Sequence, residues 1–400
     1  MKAIFLKYYF LLFSLLFFLN SNIECFAQKK TVHKSQKIDS VQRVRFNKAK
    51  EKKKPLIYSG HDGPYIINDT LFSVNAKNRL VILPKFDKDS LLVRTDNKDK
   101  DEFYFSLKEK HTIPRTIYDL PNKMTVISDI EGNYDAFAGF LYSNKIIDKN
   151  HNWIYNDGHL VLIGDFVDRG KNVTQVLWLI YKLEQQAMKQ SGVVHFILGN
   201  HEIMNFNGDY RYNQEKYIKA AKEISQINKP KEATKYMYSV NSELGKWLAT
   251  KNVIEKIGSY IFVHAGLSPK ILEYKLGLNE INNLARKNFQ NKKRSENKTV
   301  KFLFSSKGPL WYRGLFFKTK NYPKITLSGL DSVLNYYDAE KIVIGHTHVK
   351  NVSTDFNGKV IRTDVVHADK KFSGKTQGLL IENHEEFIID ANFTKTPLKN

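Results

Sequence analysis

Cysteine is almost absent from this 400-residue sequence, whose single thiol is Cys25. That residue falls in an amino-terminal segment with the features of an export signal. Lys2 and Lys7 are positive, Tyr8 to Leu19 is apolar, and Cys25-Phe26-Ala27 before Gln28 reads as a cleavage site. Residues 1–27 are therefore expected to be a signal peptide, with the mature start near Gln28 and the protein in the periplasm or secreted. Long apolar runs are lacking as well: the stretch from Tyr8 is short against the roughly 20 residues that span a bilayer. An uncleaved anchor is the lesser alternative, and Glu24 is not the small residue that a lipoprotein site requires before its cysteine. With cleavage after Ala27 no thiol remains, which excludes disulfides, a cysteine redox motif and a thiol nucleophile.

Negative charge is the other shortage. The 41 Asp and Glu residues stand against 63 Lys and Arg, a formal net charge of +22. The surplus is concentrated. Residues 28–54 hold eleven Lys or Arg against Asp39 and Glu51 and little that is apolar, so a basic, solvated arm is expected there. Arg286 to Lys307 holds eight against Glu296. Such runs serve as solubilising surface or attract anionic surfaces. Contact with an anionic surface through the arm stays open, and no stable nucleic-acid partner is expected. Internal repeats are also absent, which excludes repeat architectures.

What is present is a chain ample for one large core with appendages or for two domains. Residues 55–112 show short apolar stretches, such as Tyr65-Ile66-Ile67, Leu80-Val81-Ile82-Leu83 and Leu91-Leu92-Val93, between Asn, Asp, Gly and Lys. This pattern predicts a small β-rich extension that packs on the main domain. Across residues 120–395 the rhythm changes, and five apolar strands each run into a residue with a lone pair to give. Met124 to Ser128 precedes Asp129, Leu160 to Gly164 precedes Asp165, and Val193 to Gly199 precedes Asn200. Tyr260 to Val263 precedes His264, and Ile342 to Gly345 precedes His346. Between strands, Asn172 to Gln190 carries Val173, Val176, Leu177, Ile180 and Leu183 at helical spacing. Strands alternating with helices predict an α/β fold whose reactive residues gather at the carboxyl ends of the strands.

Asp129, Asp165, Asn200, His264, His346 and His348 are oxygen and nitrogen donors without a thiolate, and Glu131 adds a second carboxylate next to Asp129. Such a set suits a pair of divalent ions, manganese first, with iron or zinc as alternatives. Two ions can clamp a phosphoryl group and lower the pKa of a water between them. One carboxylate must then bridge, and Asp165, at the turn Gly164 to Gly170, is the natural candidate.

Four motifs carry a resemblance. Gly164-Asp165-Phe166-Val167-Asp168-Arg169-Gly170, Gly199-Asn200-His201-Glu202, His264-Ala265-Gly266 and Gly345-His346-Thr347-His348 follow one another in the order of the calcineurin-like metallophosphoesterases. With Gly308-Pro309-Leu310-Trp311-Tyr312-Arg313-Gly314 added, the sequence is similar to the bacterial Shewanella-like phosphoprotein phosphatases over roughly Met124 to Val349. The resemblance implies a β-sandwich flanked by helices, with the metal site at the strand ends. It implies that Asp165 bridges two ions, that Asn200, His264 and His346 complete one site, and that Asp129 with His348 serves the other. His201 would donate a proton to the leaving oxygen, oriented by Asp168, while Arg169 and Arg313 would grip phosphate oxygens. Glu202 would support the site rather than bind metal.

One position departs from the family pattern. Where Asp-x-His-Gly is usual, this chain has Asp129-Ile130-Glu131-Gly132. Glu131 then ligates an ion in the histidine's place, or His348 supplies the missing nitrogen, or the site is weakened, in that order of preference. The resemblance implies hydrolysis of phosphate monoesters, on phosphoproteins or small molecules. The runner-up is a phosphodiesterase or dinucleoside polyphosphate hydrolase, and a further alternative is an envelope or nucleic-acid-binding protein with weakened chemistry. The insertion from Asn205 to Glu243 offers Tyr210, Tyr212, Tyr217, Tyr236 and Tyr238 as candidate substrate contacts, or as a helical cap packed on itself. His151, His159, His195 and His367 lie outside the pattern and are assigned structural or surface roles.

Overall fold

Alternation along the strands decides the architecture. A computed structural model describes residues 56–291 and 296–399; the expected signal peptide, the basic arm and Lys292 to Arg294 of the second basic run lie outside them. The strands are β1 (Asp62–Ile67), β2 (Thr70–Val74), β3 (Leu80–Leu83), β4 (Leu91–Arg94), β5 (Glu102–Phe105), β6 (Ile117–Tyr118), β7 (Lys123–Ile127), β8 (His159–Ile163), β9 (Val193–Ile197), β10 (Ile254–Ile257), β11 (Tyr260–Val263), β12 (Lys341–Ile344), β13 (Ser353–Asp355), β14 (Val360–Arg362), β15 (Gln377–Glu382), β16 (Glu385–Asp390) and β17 (Lys395–Pro397). The helices used below are α1 (Tyr134–Ser143), α2 (Val173–Met188), α3 (Asn200–Phe206), α4 (Glu215–Ser225), α5 (Pro230–Met237), α6 (Glu243–Leu248), α7 (Leu278–Asn288), α8 (Lys298–Leu303) and α9 (Leu327–Tyr336).

Two six-stranded sheets, ordered β13-β14-β12-β11-β10-β6 and β17-β16-β15-β7-β8-β9, face each other. Met124, Val126, Val161, Ile163 and Ile197 of one meet Ile257, Phe262, Val343 and Ile361 of the other in a shared apolar layer. Their sequence neighbours point outward, as the two-residue side-chain period of a strand requires. Ile127, Leu160, Leu162 and Phe196 join a second apolar cluster with Phe137 and Phe140 of α1 and Val176, Leu177 and Ile180 of α2. Ile254, Ile261, Ile342 and Ile344 join the same cluster with Ile281 of α7 and Leu330, Val333 and Leu334 of α9. Both faces of the inner strands are thus buried, which is why they read as continuous apolar runs. The central pairs β7–β8, β8–β9, β11–β12 and β12–β14 are parallel, so the ends of these strands converge on one edge of the sandwich.

The extension is a three-stranded sheet, β1-β2-β3, and a β4–β5 hairpin. The described residues belong to one compact unit. Trp178 Nε1 of α2 donates to the Pro64 carbonyl at 2.7 Å, and the Phe105 ring stacks on Trp178 with centroids 4.3 Å apart. A buried ion pair, Lys216 to Asp62 at 2.6 Å, ties α4 to β1. The insertion therefore leans on the extension: Ala220 and Ile224 pack with Tyr58, Tyr65, Ile67 and Val74, and Tyr217 and Tyr236 lie against the same cluster. Among the described residues, no helix is long and apolar enough to cross a membrane.

Away from the strand ends, Glu184 of α2 stands between two ammonium groups, Lys251 at 2.5 Å and Lys108 at 2.5 Å, and also accepts from Trp247 Nε1 at 2.6 Å. Burial alone would raise the carboxyl, but Lys251 and Lys108 outweigh it and hold the pKa at about 2. Lys108 moves the other way, because burial outweighs Glu184 and lowers its pKa. The asymmetry is physical: two cations act together on the one carboxylate, while Lys108 is repelled by Lys251 as well as drawn to Glu184. The Glu184 pKa is depressed on folding, so its stabilisation is complete above the ordinary carboxyl pKa of about 4.3 and is lost as pH falls from there toward about 2. Glu184→Gln leaves two lysines facing a neutral amide and is expected to lower unfolding free energy by about 3 kcal/mol at pH 7. Urea unfolding should also show a shallower loss of stability between those pH values than in the parent.

Candidate metal centre and active-site cleft

Three of the convergent strands, β7, β8 and β12, end in turns that hold polar residues in the left-handed backbone region. Asp129 (φ 53°), Glu131 (48°), Asp165 (58°), Asp168 (72°), Arg169 (50°) and His346 (65°) all lie there. Such a conformation costs a non-glycine residue of order 1–3 kcal/mol and persists only where its surroundings enforce it. Here the turns hold one another. Asp129 N donates to the Gly164 carbonyl at 3.0 Å, Glu131 N to that of Asp165 at 2.9 Å, and Gly132 N to that of Phe166 at 2.9 Å. Gly164 is required by contact as well as by its φ of 71°, since a Cβ there would lie 2.5 Å from Gly199 N and 2.7 Å from His264 Nδ1. Glu202, fully buried, accepts from the backbone N–H of Gly199 (2.7 Å), Asp165 (3.0 Å), Phe166 (2.8 Å) and Val167 (3.3 Å).

Asp165 is the hub. Its Oδ2 lies 3.1 Å from His264 Nε2 and 3.8 Å from His201 Nε2, and its Oδ1 accepts from His201 N at 2.9 Å. His264 Nδ1 is 2.9 Å from the Ile163 carbonyl, which accepts its proton and turns Nε2 inward. That Nε2 stands 3.0 Å from Asn200 Oδ1 and 3.2 Å from His346 Nδ1. Two groups of ligand atoms result, each with all members within 4.8 Å of one another: Asp165, His264 and His346, and Glu131, Asp165 and His201. Asp129 and His348 are in neither group, although both line the adjoining cleft. The two Asp129 oxygens accept from His346 N at 3.2 and 3.1 Å.

The electrostatics show what the place is made to hold. Burial, then Asp364 and Asp165, push the Asp129 carboxyl well above its usual range. Burial acts the same way on Asp165, but His264 and His201 outweigh it and hold that carboxyl below the usual range. Burial would lower His264, yet Asp165 and Asp129 raise it to about 9. Burial, then His264 and Arg313, hold His346 well below its ordinary value, and its Nε2 is buried with no hydrogen-bond partner among the described residues. Clustered buried carboxylates that draw protons onto neighbouring imidazoles, beside a bare imidazole nitrogen, are what a divalent cation satisfies. The donors are oxygen and nitrogen only, so the residues fit a pair of such ions.

Beside this cluster His201 Nδ1 meets Asp168 Oδ2 at 2.6 Å, and Asp168 Oδ1 accepts from Asn205 Nδ2 at 2.9 Å and also from Asn213. Burial lowers the His201 pKa, but Asp165 and Asp168 outweigh it and raise the group overall. Arg169 is ion-paired with Glu131. Arg313 Nη1 donates to the His346 carbonyl at 2.7 Å and to Thr347 Oγ1 at 2.8 Å, so the guanidinium rests on the histidine loop. The Trp311 ring stands edge-on to His346 at 5.9 Å. A cleft of 640 Å³ opens from the centre, with Arg169 and Lys171 on one wall and Val365, Val366 and His367 on another.

Several residues of the site were not singled out by sequence. Asp364 accepts from His348 Nδ1 at 2.8 Å, and that bond is the leading cause of the raised His348 pKa. His367 donates from Nε2 to the Ser128 carbonyl at 2.8 Å, against the ligand turn. Asn205 and Asn213 secure Asp168. Of the insertion's tyrosines, Tyr212 lies over His201, with centroids 5.0 Å apart, whereas Tyr217, Tyr236 and Tyr238 pack into apolar clusters. Asp364 did carry a signal, since it follows β14 as Asp165 follows β8.

A two-sheet sandwich with clustered carboxylate and imidazole ligands at its strand ends, and a His–Asp pair beside them, defines a metallophosphoesterase. The model of the calcineurin-like phosphoesterase family matches residues 123–350, more than half of the chain, and the chain belongs to that family. Shewanella-like protein phosphatase 1 of Plasmodium berghei (strain Anka) is 32% identical over 228 residues, 56% of this chain and 61% of that protein. The match thus spans less than two thirds of that relative. Shewanella-like protein phosphatase 2 of Arabidopsis thaliana is 24% identical over 294 residues, 64% of this chain and 74% of that one. Among solved structures, the cold-active protein-tyrosine phosphatase of a psychrophile Shewanella sp. is 32% identical with a TM-score of 0.73, covering 85% of this chain and 100% of that one.

Elemental analysis after dialysis against manganese is expected to find about two ions per chain, and Asp165→Asn is expected to retain neither. At a metal concentration of 100 times Kd the parent should gain about 2.7 kcal/mol of stability, read as a rise in Tm that is missing from Asp165→Asn.

Proposed function

We propose that this chain is a metal-dependent phosphomonoesterase that acts on phosphoproteins, phosphotyrosine among them, in the periplasm or outside the cell. The observation that carries the reading is the placing of the Asp168–His201 pair beside the Asp165 cluster, so that a proton donor and a set of cation ligands face the same point. The substrate class draws support from the Shewanella-like phosphatases and the tyrosine phosphatase to which the chain is similar. Location rests on the amino-terminal sequence alone.

Asp165 would be shared by two ions, with Asn200, His264 and His346 on one side and Asp129, Glu131 and His348 on the other. Manganese is the favoured metal, with iron or zinc as alternatives. Bound ions supply charge compensation at the phosphoryl group and lower the pKa of the attacking water. The remaining work falls to side chains. His201, kept protonated by Asp165 and Asp168, gives its Nε2 proton to the leaving oxygen, and Asp168 holds the ring by accepting from Nδ1. Arg169 and Arg313 present planar guanidinium groups to the non-bridging oxygens. Asp364 holds His348 by the same device that Asp168 uses on His201.

The test is hydrolysis of para-nitrophenyl phosphate and of tyrosine- and serine-phosphorylated peptides by chain stripped of metal and reloaded with manganese, iron or zinc. Activity should return with metal. His201→Ala should keep its metal and lose about 10²–10⁴-fold in kcat. Turnover of diesters or dinucleoside polyphosphates in place of monoesters would overturn the reading, as would metal-independent activity.

A further inference from the structure

Glu131 stands where the family resemblance implies a histidine, and its carboxylate meets both a guanidinium and the ligand cluster. One side is ion-paired with Arg169 Nη1. An oxygen of the same carboxylate lies within 4.8 Å of the ligand atoms of Asp165 and His201. The glutamate is mostly buried, with 19% of its side chain exposed, whereas the Arg169 side chain is 44% exposed and lines the cleft. Both backbones are pinned. Glu131 N donates to the Asp165 carbonyl and its own carbonyl accepts from Gly170 N at 2.7 Å, while Arg169 N donates to the Tyr212 carbonyl at 2.9 Å and its carbonyl accepts from Gln214 Nε2 at 2.5 Å. Only side-chain rotation is free to change the pairing. The Tyr212 ring, 5.2 Å from the guanidinium, gives Arg169 a second seat at the cleft.

We infer that Glu131 is contested between Arg169 and the ion held beside Asp165 and His201, so that loading the ion frees Arg169 for the phosphoryl group while Arg169 holds the affinity of that ion down. This rests on the phosphomonoesterase reading and adds to it a coupling between metal occupancy and substrate grip. A histidine at position 131 cannot provide it, because a neutral imidazole has no charge with which to hold a guanidinium. Coupling of this kind is reciprocal in binding free energy.

The experiment is a double-mutant cycle on manganese affinity, measured by isothermal titration on the full chain and on Glu131→Gln, Arg169→Met and the double variant. Glu131→Gln is expected to weaken the affected site about tenfold. Arg169→Met is expected to tighten it about tenfold in the Glu131 background and to leave it unchanged in the Glu131→Gln background. Tightening of equal size in both backgrounds would mean that Arg169 acts only by its distance-dependent repulsion, and would overturn the proposal while leaving the phosphoesterase reading intact. A parent chain that binds no manganese, iron or zinc would overturn both. As a second readout, orthophosphate binding to the manganese-loaded chain should weaken in Arg169→Met and not in Glu131→Gln; an equal loss in both would show that Glu131 still holds Arg169 in place once the ion is bound, which again overturns the proposal.

Discussion

A carboxylate taken out of water must find positive charge or several hydrogen-bond donors, and Asp165 is where this fold meets that demand. The residue is nearly fully buried at the end of β8, with two imidazoles facing it and a backbone N–H from α3 on its other oxygen. The chain arrives there from four strands, and none of the arriving residues could satisfy Asp165 alone. Their convergence depends on the parallel pairing of the central strands and on the apolar layer between the sheets, so the core is shaped by what stands at its rim. The left-handed backbone at Asp129, Asp165, Asp168 and His346 is the local cost of aiming so many polar groups at one point.

The outer parts of the molecule serve the same end at a distance. Tyr212 and Asn213, from the insertion, place a ring over His201 and a second donor on Asp168. The insertion is in turn held against the extension by the Lys216–Asp62 pair and the apolar cluster around Tyr65. The extension is also tied to the chain just beyond Asp369, which lines the cleft, where Lys371 pairs with Asp99 at 2.9 Å and with Asp101. A segment with no chemistry of its own thus ties down both the insertion and that stretch of chain.

Much of this was legible in sequence because short apolar runs that end in Asp, Asn or His announce strand ends, and because the helix expected over 172–190 spans Val173–Met188. What stayed hidden depended on tertiary partners. Whether Tyr217 or Tyr212 would lie over His201 was not encoded locally, since burial of the first is created by β1 and α2, far away in sequence. His367 looked like any isolated histidine until the loop after β14 brought it to Ser128. The Glu131 substitution was visible, but its pairing with Arg169 requires the turn after β8 to fold against the turn after β7. Asp364 follows the pattern of the other strand ends but lies beyond the last recognisable motif.

The four N–H groups gathered by Glu202 carry a consequence for how the centre exchanges its contents. They clasp the turn that bears Asp165 and the turn that bears Asn200 and His201 to each other through protein atoms alone. The cradle therefore keeps its shape when ions come and go, and replacing one metal by another is a matter of ligand exchange at a standing site rather than of refolding around a new guest. In an environment where metal supply fluctuates, that separates the lifetime of the protein from the lifetime of any one ion within it.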